Sequence, residues 1–366
     1  MQKALVTGAA GFIGARCAAG LMARGWQVTG LDALTDYYDV TLKQARLDRL
    51  AAQAENQTED RAGSTGPGSA QGTGPGSAQG TGQGGFRFVH ERVESPGALA
   101  ALFAEERYDL VIHLAAQAGV RYSIDNPRAY LESNIAGTFE LLEAARAHPP
   151  GHMMLASTSS AYGAETEMPY VETMRADHQM SFYAATKKAN ENMAHSYAHL
   201  FGLPVTMFRF FTVYGPWGRP DMALFKFTRA ILEDAPIDVY NHGDMKRDFT
   251  YIDDLVAGIL ALAGAVPPAP GEGDPVEGDS LSPVAPFRVV NIGNGAPVQL
   301  TDFIAAIEAA TGRTARRNLM PMQPGDVPAT WADTTLLERL TGGAPQTPIA
   351  EGVARFVAWY RDYYGV

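Results

Sequence analysis

The chain has 366 residues, of which 46% are hydrophobic, and carries a formal net charge of −11. This composition predicts a soluble globular protein of one large or two closely joined domains, and it argues against a nucleic-acid or anionic-membrane surface. The single cysteine, Cys17, excludes an internal disulfide framework and favours a reducing compartment, so we expect a cytoplasmic protein. No apolar run approaches the roughly 20 residues of a membrane span, so no membrane partner is expected.

Short apolar runs alternate with amphipathic helical segments along the chain. Runs of this length are typical of parallel strands that are buried on both faces, with crossover helices between them. The alternation predicts an α/β fold with a doubly wound parallel sheet. The predicted strands lie in residues 3–7, 27–31, 86–90, 109–115, 152–158 and 204–210.

Two segments interrupt this alternation. Residues 63–85 contain the sequence TGPGSAQG twice in tandem, at 65–72 and 73–80. A segment of such small and polar residues cannot bury enough apolar surface to offset its ordering entropy, so we expect a disordered insert. Residues 266–286 are rich in proline, glycine and acids and are predicted to form a second surface loop. Neither segment is expected to carry chemistry.

A glycine cluster follows the first predicted strand and opens a helix. Gly8, Gly11 and Gly14 lie in VTGAAGFIG, with G-x-x-G-x-x-G spacing. Backbone N–H groups of such a turn, with the helix N-terminus, can hold a pyrophosphate. Asp32 ends the second strand, where a carboxylate would bind a ribose diol and repel a 2′-phosphate, which favours NAD over NADP. The alternative is that the glycines serve packing and Asp32 a turn.

A tyrosine and a lysine are spaced one helical turn apart in SFYAATKKAN. Tyr183 and Lys187 lie at i and i+4 on a predicted helix capped by Ser181, and therefore on one face. We expect the ammonium to lower the pKa of the phenol, so that a phenolate can remove a hydroxyl proton near neutral pH. The hydroxyl-rich strand end STSSAYG, at 157–163, precedes this pair.

Together with HLAAQAG at 113–119, these motifs resemble the extended short-chain dehydrogenase/reductase superfamily in its nucleotide-sugar epimerase branch. Three longer stretches, 32–47, 209–225 and 237–254, closely resemble UDP-glucuronate 4-epimerases. The resemblance covers nearly the whole chain except the two low-complexity loops. It implies a Rossmann-like NAD-binding domain in 1–203, with return segments near 237–263. Residues 204–366 would form mainly a smaller C-terminal α/β domain that binds a UDP-sugar.

The resemblance implies reversible 4-epimerisation of UDP-glucuronate to UDP-galacturonate through a 4-keto intermediate, with tightly bound NAD. Tyr183, assisted by Thr158, would take the proton of the C4 hydroxyl, and Lys187 would hold the nicotinamide ribose. The cofactor-binding residues would be Gly8, Gly11, Phe12, Ile13, Gly14, Asp32, Val93, Ala115, Ala116, Gln117, Ser133, Tyr183 and Lys187.

The residues beside Thr158 discriminate among related activities. By the same resemblance, Ser159 and Ser160 stand where sugar-nucleotide 4,6-dehydratases carry an Asp-Glu pair. In UDP-glucuronate decarboxylases the second of these positions is usually a Glu. Serines cannot act as acid or base near neutral pH, so elimination is disfavoured. UDP-glucose 4-epimerase and UDP-glucuronate decarboxylase or dehydratase activities stay open as alternatives, as does a non-catalytic NAD-binding sensor. A sensor would be expected to have lost Tyr183 or Lys187.

The same resemblance implies a set of substrate contacts. Arg219 and Arg247 would bind the diphosphate, for which a guanidinium offers matching donors. Gln323 replaces an Arg that UDP-galactose epimerases have at this place. Arg92 replaces the Asp that usually binds adenine in the family, which leaves the backbone of Val93 for the adenine contact. The substrate-binding residues would be Ser159, Ser160, Thr212, Arg219, Tyr240, Arg247, Asp326 and Arg121.

No paired histidines at metal-ligand spacing occur, so no metal is expected. His113, at a strand end, is predicted to be a packed core residue rather than a base. The superfamily resemblance also implies a homodimer, in which each subunit contributes two helices, here at about 128–147 and 182–201.

Overall fold

The structure is a computed structural model that describes residues 1–63, 85–274, 276–322 and 327–366. The predicted disordered insert at 63–85 therefore lies almost wholly outside the described residues. The strands are β1 (Lys3–Thr7), β2 (Gln27–Asp32), β3 (Phe86–His90), β4 (Leu110–His113), β5 (His152–Thr158), β6 (Val205–Phe210), β7 (Thr212–Tyr214), β8 (Pro236–Val239), β9 (Lys246–Tyr251), β10 (Phe287–Ile292), β11 (Pro297–Gln299), β12 (Arg316–Leu319) and β13 (Ala329–Thr330).

Helices follow most of the strands. They are α1 (Phe12–Ala23), α2 (Val40–Gly63), α3 (Ala98–Glu105), α4 (Tyr122–Asp125), α5 (Pro127–Tyr130), α6 (Gly137–Ala147), α7 (Phe182–Phe201), α8 (Ala223–Leu232), α9 (Ile252–Leu262), α10 (Leu300–Thr311), α11 (Thr335–Thr341) and α12 (Ile349–Tyr364). A π-helical turn, Leu131–Ala136, joins α5 to α6, and a 3-10 turn, Ser159–Tyr162, follows β5.

Within the described residues, seven parallel strands form one sheet in the order β10-β6-β5-β4-β1-β2-β3. The doubly wound, Rossmann-like parallel sheet predicted from the sequence is confirmed, and all six predicted runs lie in it. The strand order reverses beside β1, which pairs with β2 on one side and β4 on the other. Such a reversal opens a crevice at the carboxyl ends of the strands, where ligands bind in open α/β sheets.

Both faces of the sheet are buried. Leu5 and Val111 pack with α3, α6 and α7, whereas Val6 and Ile112 pack on the opposite face with α1 and α9. Successive residues of a strand point to opposite faces, so a sheet covered by helices on both sides needs apolar residues at every position. This is why the strands were recognisable as continuous apolar runs.

The sheet extends beyond the domain boundary expected at residue 203. Both β6 and β10 follow that residue, yet they form one edge of the sheet. Of the expected return segments near 237–263, α9 packs against α1. The remaining strands form two small sheets, in which β9 pairs with β7, β11 and β13, and β8 pairs with β12.

The expected loop at 266–286 has no helix or strand among its described residues, but its second half is anchored to the core. Asp279 forms an ion pair with Arg288 of β10, with Nη2 and Oδ2 2.7 Å apart. A hydrogen bond joins Ser282 Oγ to Nε2 of His195 in α7 at 2.9 Å, and Ala285 is fully buried. The second half is thus tied to the core at these points, while Val284 between them is 52% exposed. No helix among the described residues is long and apolar enough to cross a membrane.

Candidate active site

A cavity of about 810 Å³ opens at the carboxyl edge of the sheet. Its wall contains every predicted cofactor residue, the three predicted catalytic residues and six of the eight predicted substrate residues. The two exceptions are Arg247, which is not part of the wall, and Asp326, which lies outside the described residues together with Gln323. The fold thus brings together residues that are up to about 230 positions apart in sequence, from Gly8 to Tyr240.

The glycine turn between β1 and α1 can exist only with glycine at two of its positions. Gly8 has φ +73°, and a Cβ there would lie 2.8 Å from the backbone nitrogen of Ala115. A Cβ on Gly14 would collide with the carbonyl of Gly8. Helix α1 starts immediately after Gly11 with no side-chain cap, which leaves its first N–H groups for a ligand. These features fit a dinucleotide pyrophosphate.

Asp32 holds its carboxylate at the end of β2, in the cavity wall. Its Oδ2 accepts from the backbone nitrogen of Ala10 at 3.1 Å, and its Oδ1 accepts from that of Leu34 at 2.8 Å. A carboxylate oxygen can accept a second hydrogen bond, so both oxygens remain able to receive ribose hydroxyls. The position fits the ribose of NAD and would repel a 2′-phosphate.

Lys187 is buried beneath the cavity, on the face of α7 that meets β5. Its Nζ donates to the carbonyl oxygen of Ala156 at 3.0 Å, and burial lowers the pKa of the ammonium to about 8. The helix that carries it starts as predicted, since Ser181 Oγ accepts from the backbone nitrogen of Ala184 at 3.1 Å. Lys187 therefore remains mostly charged near neutral pH, in a place where burial opposes that charge.

The environment of Tyr183 differs from the sequence-based expectation. Burial raises the pKa of its phenol, and the groups that lower it are the Thr158 hydroxyl and the Arg219 guanidinium. The expected lowering by Lys187 is wrong for the protein without ligand, because desolvation outweighs the stabilising groups. The ring is held edge-on against Tyr130, with centroids 5.9 Å apart.

The row of hydroxyl side chains at the end of β5 divides into an inward-facing part and a part that lines the cavity. Ser157 points inward and donates to Glu191 at 2.6 Å. Thr158 accepts from the backbone nitrogen of Ser160 at 3.2 Å and so caps the 3-10 turn. Ser159 and Ser160 lie in the cavity wall with Thr158. The row therefore presents neutral hydroxyl groups to the cavity, with no acid or base among them.

Two arginines of the wall are held by neighbouring side chains. Arg219 makes a forked ion pair with Asp221, with Nε to Oδ1 at 3.0 Å and Nη2 to Oδ2 at 2.5 Å, which raises its pKa. The guanidinium of Arg121 lies 4.8 Å from the ring centroid of Tyr240. Both arginines line the cavity and offer donors for a phosphate group.

Arg247 lies outside the cavity wall and donates to main-chain carbonyls. Its Nη1 bonds to Lys246 and its Nη2 to Val327, at 2.8 and 2.7 Å. Its expected diphosphate contact stays a prediction. Arg92 forms an ion pair with Glu94 at 2.6 Å, and both line the cavity beside Val93.

Asn134 is a site residue that the sequence reasoning missed. It is fully buried in the π-helical turn, where its Oδ1 accepts from the backbone nitrogen of Gln117 at 2.8 Å. Its Nδ2 donates to Thr186 Oγ1 at 3.0 Å and so ties the loop after β4 to the catalytic helix. An asparagine inside an otherwise helical stretch was the available signal, since such residues usually bond locally or cap helices.

His113 is confirmed in the interior. Its Nδ1 lies 2.8 Å from Thr7 Oγ1, and burial with the nearby Lys187 charge lowers its pKa to about 3. The ring is neutral at physiological pH and packs in the core. Among the described residues, no group of three or more His, Cys, Asp or Glu side chains is placed to hold a metal ion.

A glycine turn at the strand-order reversal, with a half-buried tyrosine and a buried lysine in the same cavity wall, defines a Rossmann-fold enzyme that exchanges hydride with a dinucleotide. The chain belongs to the NAD dependent epimerase/dehydratase family, whose sequence model matches residues 4–272.

Two relatives by sequence and one solved structure match nearly the whole chain. A probable UDP-glucuronate 4-epimerase from Rhizobium meliloti (strain 1021) is 50% identical over 366 residues, which cover 99% of this chain and 98% of that protein. UDP-glucuronate 4-epimerase 2 of Arabidopsis thaliana is 42% identical and covers 98% of this chain and 76% of its own length. The solved structure of UDP-glucuronic acid 4-epimerase from Bacillus cereus, with UDP-glucuronic acid and NAD, has a TM-score of 0.80 and 29% identity, and the match covers 99% of this chain and 100% of that one.

Proposed function

We propose that this protein catalyses the reversible 4-epimerisation of UDP-glucuronate to UDP-galacturonate through a 4-keto intermediate, with NAD held throughout the cycle. The observation that carries the proposal is the grouping of Tyr183, Thr158 and Lys187 beside hydroxyl groups that are all neutral. Relatives that match the whole chain bear the name of this activity. Elimination or assisted decarboxylation would need an acid or base where Ser159 and Ser160 stand.

The proton transfer rests on Tyr183 and Thr158. The Thr158 hydroxyl lowers the pKa of the phenol and can share a hydrogen bond with the 4-oxygen of the sugar. When bound, NAD supplies the hydride acceptor and returns the hydride to the opposite face of the 4-keto sugar. Burial raises the pKa of Tyr183, and Thr158 with Arg219 partly offsets that rise. Lys187, one helical turn further along α7, would hold the nicotinamide ribose.

The sugar carboxylate is bound by hydroxyl donors in this proposal. Oxidation at C4 creates a β-keto acid, which loses CO2 readily when its carboxylate is desolvated and aligned with the ketone. Ser159, Ser160 and Thr212 lie in the cavity wall and offer neutral donors that can hold the carboxylate out of that alignment. Each hydrogen bond to a charged group contributes roughly 1.5–3 kcal/mol, which is enough to select one rotamer.

We also propose a homodimer built from the two helical segments expected from the sequence. Large apolar side chains on these helices are exposed although they lie on ordered structure, as expected for a covered interface. They are Leu131, Phe139, Phe182, Leu200 and Phe201. Two such helices from each subunit would form a four-helix contact.

A cytoplasmic location and a role in polysaccharide biosynthesis complete the proposal. Cys17 is a buried free thiol whose pKa is raised by burial to about 12, which suits a reducing compartment and gives no disulfide chemistry. UDP-galacturonate is an activated uronic acid, so the reaction that consumes it is expected to be a glycosyl transfer.

The direct test is to incubate the purified protein with UDP-glucuronate or with UDP-glucose, without added NAD, and to resolve the products by NMR. We expect UDP-galacturonate from the first substrate and much slower conversion of the second. A UDP-pentose as the main product would assign decarboxylation instead, and preferred conversion of UDP-glucose would assign the alternative epimerase. A protein that carries NAD but converts neither substrate would favour the non-catalytic NAD-binding sensor.

A further inference from the structure

Arg46 connects the glycine turn to the turn that carries Arg219. It lies on α2, is only 2% exposed, and donates from Nη1 to the carbonyl of Ala10 at 3.0 Å and from Nη2 to that of Trp217 at 2.6 Å. Ala10 belongs to the glycine turn, and Trp217 stands two residues before Arg219. We propose that Arg46 is a positioning residue that couples occupancy of the dinucleotide site to binding of the substrate's diphosphate. This inference rests on the proposed function, since it takes Arg219 to face the UDP group.

A guanidinium is suited to this connection because its donors have fixed directions in one plane. Besides the two carbonyls, Arg46 Nη1 donates to the hydroxyl of Tyr38 at 2.8 Å, and Tyr38 lines the cavity. Three chain segments that border the cavity are thus held by one buried side chain. An ammonium has three donors on one atom at the end of a flexible stem, so it lacks the fixed, planar spacing of N–H groups that a guanidinium offers to separate acceptors.

The Trp217 turn has little freedom to adjust by itself. Trp217 has φ +67°, in the left-handed region that a bulky residue rarely adopts. Its ring packs against Trp359 and Tyr363 of α12, with centroids 5.3 and 5.1 Å away, and Arg49 lies 4.6 Å above it. The ring is therefore fixed on one side, and the direction of the carbonyl is set by Arg46 on the other.

The coupling follows from shared ordering. A dinucleotide that binds the glycine turn fixes the carbonyl of Ala10, and through Arg46 it fixes the backbone that aims Arg219 at a diphosphate. The second ligand then meets a site that is already ordered, which produces positive cooperativity. By linkage, a ligand on Arg219 must retain the dinucleotide by the same factor.

The test measures release of NAD from the holoenzyme with and without UDP. UDP is the probe because it lacks the sugar, which would otherwise touch the nicotinamide directly. In the wild type, saturating UDP should slow NAD release by about fivefold or more, the lower end of typical couplings. In Arg46→Met the slowing should fall below about twofold, with UDP binding still measurable by calorimetry.

Arg49→Met is the matched control. It removes another arginine of α2, one that lies over the Trp217 ring, but it leaves the hydrogen bonds from Arg46 to Ala10 and Trp217 in place. It should keep the wild-type response to UDP. Arg46→Lys retains the charge and should lose the response like Arg46→Met, so it decides the matter if the methionine variant fails to fold.

Results that contradict the coupling role of Arg46 can be distinguished from results that contradict the proposed function. If UDP binds the wild type but leaves NAD release unchanged, or if both Arg46 variants retain the slowing, the coupling role of Arg46 is wrong while the proposed function stands. Loss of the response in Arg49→Met as well would show that any disturbance of Trp217 suffices, and would also overturn the role of Arg46. Absence of UDP binding by the wild type would overturn the proposed function and this inference together.

Discussion

Replacing Lys187 by methionine should stabilise the fold while it removes catalysis. The ammonium is buried with one hydrogen bond, to Ala156, and burial lowers its pKa from the usual 10.5 to about 8. That depression corresponds to about 3 kcal/mol of unfavourable free energy at pH 7, at 1.36 kcal/mol for each pKa unit. Losing the hydrogen bond costs about 1 kcal/mol, so Lys187→Met should gain about 2 kcal/mol in free energy of unfolding.

The gain should depend on pH in a defined direction. Between pH 8 and 10.5 the unfolded wild type binds more protons at this lysine than the folded protein does, so wild-type stability rises with pH in this window. The methionine variant lacks that rise. The difference between the two proteins should therefore shrink by about 2 kcal/mol from pH 7 to about pH 9.5.

Urea unfolding of both proteins with NAD removed measures this difference, since bound NAD would stabilise them unequally. Lys188→Met is the control, because Lys188 is partly exposed and paired with Glu191 at 3.1 Å and should give no gain. A Lys187→Met protein that is less stable than the wild type by an amount independent of pH would refute the argument that burial opposes the Lys187 charge.

Three further predictions concern the reaction and the assembly. Tyr183→Phe should keep the fold and bound NAD but lower turnover by about 10²–10⁴-fold; a loss below tenfold would assign the proton transfer to another group. Thr212→Val should raise KM for UDP-glucuronate about tenfold and release CO2 with a 4-keto-pentose product; wild-type KM with no CO2 would show that the carboxylate is held elsewhere. Phe139→Glu should convert the proposed dimer to a monomer of 39.2 kDa, as measured by light scattering. Leu319→Glu, which changes an exposed side chain on β12, should leave the dimer intact. An unchanged dimer in Phe139→Glu would place the interface on another surface.

The sheet was predictable where burial alone determines the residue type. Its six predicted strands are nearly continuous apolar runs, and they needed no partner to be recognised. The seventh strand, β10, was missed because it contains Arg288 and Asn291, which are buried yet polar. Arg288 pairs with Asp279 in a loop, and the side-chain amide of Asn291 accepts from the Tyr162 hydroxyl and donates to the carbonyl of Tyr170. Only the folded chain shows that these polar groups are satisfied.

The site residues were likewise predictable where the pattern is local in sequence, and were missed where their role depends on contacts in the folded chain. The glycine turn, Asp32 and the Tyr183–Lys187 pair are local patterns, and the structure brings them to one cavity. Asp221 and Arg46 were missed because their roles depend on contacts with other elements or on the direction of a side chain. The pKa of Tyr183 was predicted with the wrong sign because helical spacing indicates which groups are near, but not how strongly burial opposes the charge.

The most direct test of the proposed epimerase mechanism uses UDP-glucuronate that carries deuterium at C4. Hydride removed from C4 and returned within the same active site should give UDP-galacturonate with the deuterium still at C4, in ordinary water and without added NAD. Proton and carbon NMR would show the position of the label and the configuration at C4. Loss of the deuterium to solvent, or a UDP-pentose with release of CO2 as the main product, would contradict 4-epimerisation through a retained NAD.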